Sequence, residues 1–352
     1  MTEGDESATC EIGFQSCIRV IMRLISMLGI SVFLLIRMCG LCTEKVRADN
    51  DNRVEAEKLL RQAEELTDIR SPGSHAFRLT ASVKVFGEKG QTSEGTYDLI
   101  WKAPTTWQDK LQIRDFSQER TAVVDRLFVK RSAPSLTLEV YQLLKLLEFP
   151  ALLHYDSEAK AQKLKERTRD GAHERVIEVG YQNQSTRDVI TLDGAVPVPV
   201  LVGHQGQPSG DQFENYVAFD GHQFPRTLAR LESNRPLIQV QVQELKDVTI
   251  ADTPLVPAPD ARWYAWCPHP EHIKALDQPE LYPIPWPGAL DRPVAIYGVV
   301  GVDGKWHNLA VVKSGGREAD EYWMTVAHHE RFSPARCGEV PVLQEFVMEN
   351  KR

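Results

Sequence analysis

The stretch FRLTASVKV, from Phe77 to Val85, alternates apolar and polar residues without interruption. A period of two places every second side chain on the same side of an extended chain. The stretch therefore predicts a β-strand with one buried face and one solvated face. Such a strand needs neighbours on both of its edges, so the segments around it decide the rest of the fold.

A helix precedes this strand and a meander of strands follows it. Between Arg53 and Ile69, apolar residues recur at steps of three and four, which is typical of an amphipathic helix. After a turn at Gly87–Ser93, two further strands are predicted, separated by Pro104. A second helix is predicted at Leu138–Glu148. Seven more strands are predicted at residues 122–124, 127–130, 175–181, 188–192, 213–219, 223–232 and 237–245.

Short antiparallel strands joined by turns fit one large curved sheet, so we expect an α+β fold. One apolar face of the first three strands carries large side chains. These are the candidate ligand-binding residues, and they are Phe77, Leu79, Val83, Tyr97, Leu99, Trp101 and Trp107. The alternative is that they fill a closed core, as buried aromatic residues commonly do.

Three segments together carry a family resemblance. They are FRLTASVKV (77–85), GTYDLIWKAPTTWQ (95–108) and FPRTLARLESNRPLIQVQVQEL (224–245). With the initial helix, residues 53–252 resemble the LolA-like outer-membrane lipoprotein carriers. The resemblance implies an antiparallel half-barrel sheet that wraps around helices, with a concave apolar face that receives a lipid or acyl chain.

The composition changes after this region. Ten of the twenty-one prolines of the chain lie in residues 252–293. Neither a helix nor a central strand tolerates that density. We expect residues 253–292 to be a proline-rich linker and a loop-rich entry, part of which packs down.

A small second domain is predicted at residues 293–352. Ala295–Val302 and Lys305–Val312 are predicted strands joined by a type I′ turn at Asp303–Gly304. A helix at Glu318–His329 and a last strand at Val342–Met348 complete a ββαβ unit.

This unit resembles the C-terminal domain of TonB energy transducers. The resemblance rests on VVGVDGKWHNLAVVKSGG (299–316), RFSPA (331–335) and GEVPV (338–342), which fall in the family's order and spacing. It implies strand addition to an outer-membrane transporter or another envelope protein. The candidate partner-binding residues are Val342, Leu343, Glu345, Phe346 and Val347. The alternative is a capped edge that binds nothing.

Two features depart from the TonB pattern. The segment LYPIPWPGALDRP (281–293) is too rich in proline for the short helix with which the family domain usually opens. No histidine precedes His75, whereas transducers typically carry one in their membrane anchor.

Residues 1–48 predict a targeting segment. Leu24–Ile36 holds thirteen residues without a charge, preceded by Arg19 and Arg23 and followed by a Val46-Arg47-Ala48 exit. This pattern is typical of a cleaved signal peptide. The alternative is a retained inner-membrane anchor. Either way, we expect a periplasmic protein.

Export determines how the cysteines are interpreted. Cys267 and Cys337 are the two that follow the leader, and in an oxidising compartment they are expected to form a disulfide. The alternative is a metal site made by Cys267, His269 and His272, but no second paired-ligand motif follows at a zinc spacing, and we expect no metal and no cofactor.

Charge and motifs exclude several function classes. A net charge of −8 argues against a nucleic-acid partner. The chain has no nucleophile elbow, P-loop, dinucleotide fingerprint or zincin motif. The His/Glu neighbours at 173–174 and 328–330 are more typical of solvated surface. We therefore expect a non-enzymatic envelope protein that acts in transport across the outer membrane. A structural envelope scaffold and a hydrolase without a recognisable motif are the alternatives.

Overall fold

The structure of the protein is a computed structural model. It describes residues 52–87, 91–148, 159–181, 187–207, 209–249, 254–276 and 293–350, and the predicted leader and anchor fall outside them. Within these ranges the chain is mostly antiparallel sheet with three helices, in agreement with the expected α+β class. From Glu57 onward the chain forms one compact unit. None of the described helices is long and apolar enough to cross a membrane.

The helices are α1 (residues 52–67), α2 (Leu138–Leu147) and α3 (Arg317–His329). The strands are, in chain order, β1 (Phe77–Phe86), β2 (Thr92–Ala103), β3 (Thr106–Ile113), β4 (Phe116–Val123), β5 (Arg126–Arg131), β6 (Ala159–Arg169), β7 (Ala172–Tyr181), β8 (Arg187–Asp193), β9 (Pro199–His204), β10 (Gly210–Phe219), β11 (His222–Glu232), β12 (Arg235–Asp247), β13 (Arg262–Ala265), β14 (Lys274–Ala275), β15 (Val294–Val300), β16 (Trp306–Lys313), β17 (Phe332–Ser333), β18 (Arg336–Cys337), β19 (Val340–Pro341) and β20 (Gln344–Asn350).

Strands β1 to β13 form one sheet of thirteen strands, in the order β13-β5-β4-β3-β2-β1-β12-β11-β10-β9-β8-β7-β6. β1 lies between β2 and β12. It therefore connects strands β2–β5 and β13 on one side of the sheet to strands β6–β12 on the other. In the described residues β13 and β6 do not pair with each other, so the sheet is an open half-barrel rather than a closed barrel.

Three strands of this sheet were not predicted. β6 reads AKAQKLKERTR, and its charged residues hide any alternation. It is an edge strand, and charged side chains are a common way to protect such an edge. β9 is flanked by prolines, and β13 lies within the predicted linker and pairs with β5.

The register of the strands shows which residues of the neighbouring strands share a face of the sheet with the apolar residues of β1. Directly opposite residues of an antiparallel pair face the same side. From Phe77, Leu79 and Val83 this face therefore passes to Tyr97, Leu99 and Trp101 on β2 and to Val240 and Ile238 on β12. We call it the inner face. Most of its apolar residues belong to one buried cluster, which also contains the leucines of α2.

Helix α2 begins at a side-chain cap. Thr137 accepts a hydrogen bond from the backbone N–H of Val140, which satisfies one of the free donors of the first turn. Six side chains of the helix are buried, including Leu143 and Leu146, which are both completely inaccessible. The helix therefore covers part of the inner face rather than lying on the surface.

The C-terminal part forms a three-stranded sheet in the order β16-β15-β20, with α3 between β16 and β20 in the chain. The predicted ββαβ order is present, but the predicted type I′ turn is wrong. That turn needs a positive φ at both Asp303 and Gly304, and of these two only Gly304 has one, at 69°. The Gly304 N–H donates to the carbonyl of Gly301, so the turn closes one residue earlier.

A close contact with Phe332 also requires a glycine at position 304. The Gly304 carbonyl accepts a hydrogen bond from the Phe332 N–H at 2.9 Å. A Cβ at Gly304 would lie 2.2 Å from the Phe332 carbonyl oxygen, closer than atoms can approach. The hairpin turn is thus docked on the segment that follows α3.

Strand β15 is buried on both faces. Val294, Ile296 and Val300 pack with α3 residues in one cluster. Ala295 and Tyr297 belong instead to the cluster of the inner face. The unbroken apolar run VAIYGVV is what such a strand requires. The C-terminal sheet is therefore a layer between α3 and the inner face of the large sheet.

The predicted disulfide between Cys267 and Cys337 is present. It joins the segment after β13 to β18, close to a backbone bridge between Glu271 and Arg336. The cross-link therefore ties the edge of the large sheet to the C-terminal part.

We expect Cys267→Ser to lower the free energy of unfolding by roughly 2–4 kcal/mol. The two cysteines are 70 residues apart, and opening a loop of that length restores about this much entropy to the unfolded chain. Denaturant unfolding of the oxidised parent and of the variant measures the difference. Reduction of the parent should reproduce the loss, and an unchanged midpoint in both cases would contradict the prediction.

Candidate functional site

The predicted ligand-binding residues lie on the inner face and are almost completely covered. Six of the seven expose between 0% and 3% of their surface, and Trp107 is half-buried. Phe77 stacks on Trp101 with ring centroids 5.4 Å apart, and Trp107 meets Trp266 edge to face at 5.6 Å. In this arrangement the side chains fill a packed core.

The cover over the inner face comes from separate elements. Helix α2 supplies leucines, and the C-terminal sheet supplies Ala295, Tyr297 and Val347. Tyr297 is completely inaccessible, and Val347 exposes 7% of its surface. The large sheet thus does not close its own apolar face, and part of the closure depends on strands β15 and β20.

Three arginines occupy positions on the inner face where apolar residues are expected. Arg120 on β4 faces Asp109 on β3, and its Nε lies 3.1 Å from both carboxylate oxygens. The Tyr97 hydroxyl donates to the same carboxylate. Burial tends to lower the pKa of Arg120, but the charge and hydrogen bonds of Asp109 outweigh it and raise that pKa. The guanidinium of Arg120 therefore remains charged despite its burial.

Arg230 on β11 forms a similar pair with Asp211 on β10. Its Nε and Nη2 each donate to one carboxylate oxygen at 2.7 Å, which is a bidentate geometry. Burial opposes the charged form, but Asp211 raises the pKa of Arg230, with a smaller contribution from Glu349 of β20. The C-terminal strand thus contributes to the field at this second arginine.

Arg131 on β5 differs from the other two because its partner on the large sheet is neutral. Its Nε donates to Gln118 Oε1 at 2.7 Å. Its negative partner comes from the C-terminal strand, where Glu345 Oε1 lies 2.8 Å from Nη2. The Tyr297 hydroxyl bridges the two, accepting from Arg131 Nη1 at 3.2 Å and donating to Glu345 at 3.0 Å.

Gln118 leaves one donor of this group unused. The residue exposes 3% of its surface, and its buried Nε2 has no hydrogen-bond partner among the described residues. The Arg131 Nε–H must meet the amide oxygen, so the amide cannot be turned around to satisfy that nitrogen. The group around Arg131 therefore has a free buried N–H beside a charged guanidinium.

The predicted partner-binding residues divide between two environments. Glu345 and Val347 point to the inner face, whereas Phe346 packs on the α3 side, 5.6 Å from Trp306. Val342 is buried before the strand begins, and Leu343 is 36% exposed. β20 pairs with β15 and lies at an end of its sheet, so within the described chain its other edge pairs with no strand.

The histidines of the sequence motifs are exposed: His173, His269, His272, His328 and His329. Across the described ranges, no group of three or more His, Cys, Asp or Glu could hold a metal ion. The Cys267 sulfur is already used in the disulfide. His329 Nδ1 contacts the Thr325 carbonyl of its own helix, and Glu330 accepts from the Trp306 indole.

Sequence reasoning missed Asp109, Arg120, Arg131, Arg230 and Gln118. A signal was present, because Asp109 lies at the apolar phase of β3, between Trp107 and Leu111. A charge at that phase indicates a buried partner on the next strand. The partner itself depends on the register and could not be assigned from one sequence.

Comparison with known proteins gives distant similarities of structure. No family model and no curated protein matches the chain. A LolA superfamily protein from Nitrosomonas europaea is similar at 12% identity over 56% of this chain and 95% of its own, with a TM-score of 0.37. A DUF1329 family protein from Desulfovibrio piger is similar at 11% identity over 56% and 93%, with a TM-score of 0.36.

A chain of the MucA/MucB complex from Pseudomonas aeruginosa is also similar. It shows 13% identity over 64% of this chain and 72% of its own, with a TM-score of 0.26. LolA superfamily proteins are thus among the solved structures similar to about half of this chain.

We expect Asp109→Asn to destabilise the protein by roughly 3–5 kcal/mol, because it leaves the Arg120 charge buried without a counter-charge. The double variant Asp109→Leu/Arg120→Met should lose much less, since neither charge remains. Denaturant unfolding of Asp109→Leu, Arg120→Met and the double variant gives the coupling energy. Equal losses in Asp109→Asn and in the double variant would contradict a buried charge pair.

Proposed function

We propose that this protein is a non-enzymatic protein of the cell envelope that binds a lipid or another apolar ligand on its inner face. One observation carries the proposal. The apolar face of the large sheet is closed by α2 and the C-terminal sheet, and not by strands of its own. A face covered by separate elements can exchange part of that cover for an acyl chain, which offers equivalent apolar contact.

An envelope location is supported by the chemistry of the chain. The Cys267–Cys337 disulfide is typical of an oxidising compartment such as the periplasm. The predicted signal peptide or anchor agrees with it. The inner-face carboxylates Asp109, Asp211 and Glu345 are each held in an ion pair with an arginine, which favours binding over acid–base catalysis.

A second proposed function is recognition of an envelope partner by the TonB-like ββαβ part. The outer edge of β20 supports it, because this edge offers backbone donors and acceptors that pair with no other described strand. An extended segment of an outer-membrane transporter is the proposed partner. Since Glu345 and Val347 face the inner face, selectivity would come mainly from Leu343, Phe346 and side chains beside the edge.

The apolar-ligand function is tested by loosening the cover. Val347→Ala removes apolar contact between β20 and the inner face, at a cost of about 1.5–2 kcal/mol to the closed arrangement. We expect it to speed uptake of the neutral fluorescent probe N-phenyl-1-naphthylamine about tenfold. Met348→Ala is the matched control, because Met348 packs on the α3 side of the same strand.

Two results would contradict the apolar-ligand function. One is a parent protein that takes up no apolar probe and releases no lipid on solvent extraction. The other is equal acceleration in Val347→Ala and Met348→Ala, which would indicate general loosening of the C-terminal sheet instead of access to the inner face.

Strand addition is tested with modified peptides. The full chain is titrated with periplasmic segments of outer-membrane transporters, N-methylated at either of two alternating sets of three residues. An edge strand pairs with every second N–H of its partner, so one set should weaken binding roughly a hundredfold while the other leaves it intact. Phe346→Pro should also weaken binding. No binding at all, or equal effects of both sets, would contradict pairing at this edge.

A further inference from the structure

We infer that Arg131, Gln118 and Tyr297 form an anion-binding subsite that Glu345 occupies in the closed arrangement, and that this subsite takes the anionic headgroup of a single-chain amphiphile when the C-terminal strand moves aside. The inference rests on the proposed apolar-ligand function and names the class of ligand. Glu345 stands where a carboxylate or phosphate of the ligand would bind.

The arginines of the inner face differ in where their counter-charge comes from. Arg120 and Arg230 are neutralised by Asp109 and Asp211, which belong to the same sheet. In the described chain, the carboxylate that contacts Arg131 is Glu345, from β20. Removal of β20 would leave the guanidinium of Arg131, now 11% exposed, without a counter-charge on the inner face. A buried unpaired charge is costly, so the open form favours an anion at this position.

The group around Arg131 offers more hydrogen-bond donors than one carboxylate can use. Arg131 directs two of its nitrogens at Glu345 and Tyr297, and the Gln118 Nε2–H nearby has no partner. Burial raises the pKa of the Tyr297 hydroxyl, and the Glu345 charge raises it further, so the hydroxyl stays protonated and can donate. One carboxylate does not use all of these donors. A headgroup with two or three oxygens would satisfy them more fully.

The subsite lies beside the apolar cluster of the inner face. Arg131 lies on β5 with its side chain on the inner face, and Tyr297 belongs to the same buried apolar cluster as Phe77 and Trp101. An amphiphile with its headgroup on Arg131 would have its chain beside this cluster. In the closed form, β20 occupies both the charged and the apolar part of the site. Glu345 contacts Arg131, and Val347, on the same face of the strand, packs in the apolar cluster.

The test uses isothermal titration of the full chain with three ligands of equal chain length: dodecanoate, dodecyl phosphate and 1-dodecanol, all kept below their aggregation concentrations. Glu345→Gln keeps the shape of the side chain and removes its charge. We expect it to tighten binding of the two anions at least about tenfold more than it tightens binding of dodecanol, which gains only from the looser cover. Glu339→Gln, in the exposed turn between β18 and β19, is the control and should change none of the three.

Arg131→Gln should abolish the preference for anions in the Glu345→Gln background. If that variant does not fold, Tyr297→Phe in the same background gives the second measurement, with an expected loss of several-fold in anion affinity for one removed donor. A larger gain for dodecanoate than for dodecyl phosphate would identify a fatty acid as the ligand class, and the reverse a phosphorylated lipid.

The outcomes separate this inference from the function on which it rests. Binding of dodecanol with no gain of anion affinity in Glu345→Gln would overturn the subsite and leave the apolar-ligand function standing. Failure of all three ligands to bind any variant would overturn the apolar-ligand function, and the subsite with it. A gain in Glu339→Gln equal to that in Glu345→Gln would indicate net charge as the cause and would also overturn the subsite.

Discussion

A curved sheet with one apolar face is stable only when that face is covered, and this constraint organises the whole molecule. The thirteen strands do not close into a barrel, so the inner face must be buried by other elements. Helix α2 covers part of it with leucines, and the C-terminal sheet covers another part with Tyr297 and Val347. The C-terminal part is therefore structural cover as well as a proposed partner-binding unit.

The same constraint explains why the C-terminal sheet has two apolar faces. Its central strand β15 supplies Ile296 to the side of α3 and Tyr297 to the inner face, and both residues are completely inaccessible. A three-stranded sheet with one helix would leave the second face in water. Contact with the large sheet buries it, so the two parts stabilise each other without a continuous hydrogen-bonded sheet between them.

The charged pairs on the inner face follow a consistent arrangement. Two arginines are paired with aspartates of neighbouring strands, and removing one partner of such a buried pair costs more stability than replacing both with apolar residues. Arg131 lacks a carboxylate of this kind, and its counter-charge arrives from β20. The Arg131–Glu345 ion pair helps to hold β20 on the inner face. An anionic ligand could compete with Glu345 for Arg131, so the packing of the fold is linked to the proposed function.

Several features could be predicted from the sequence because they depend on local physics. The alternation of Phe77–Val85 predicts a half-buried strand, and the spacing of Val140 and Leu144 predicts α2. The disulfide follows from two cysteines in a chain that is expected to be exported. The ββαβ order follows from turn residues for the same reason. The prediction of a type I′ turn at Asp303–Gly304 was wrong. The contact of Gly304 with Phe332, which is distant in the sequence, selects a different turn.

Only the tertiary structure decided what covers each apolar face. The run VAIYGVV indicates a strand buried on both sides, but the identity of the second neighbour depends on how two distant segments meet. The sequence also places Arg131, Gln118 and Glu345 far apart, and strand register together with the packing of β20 brings them within hydrogen-bond distance. Periodicity acts over a few residues and fixes faces, whereas partners across a core are set by the lowest free energy of the whole chain.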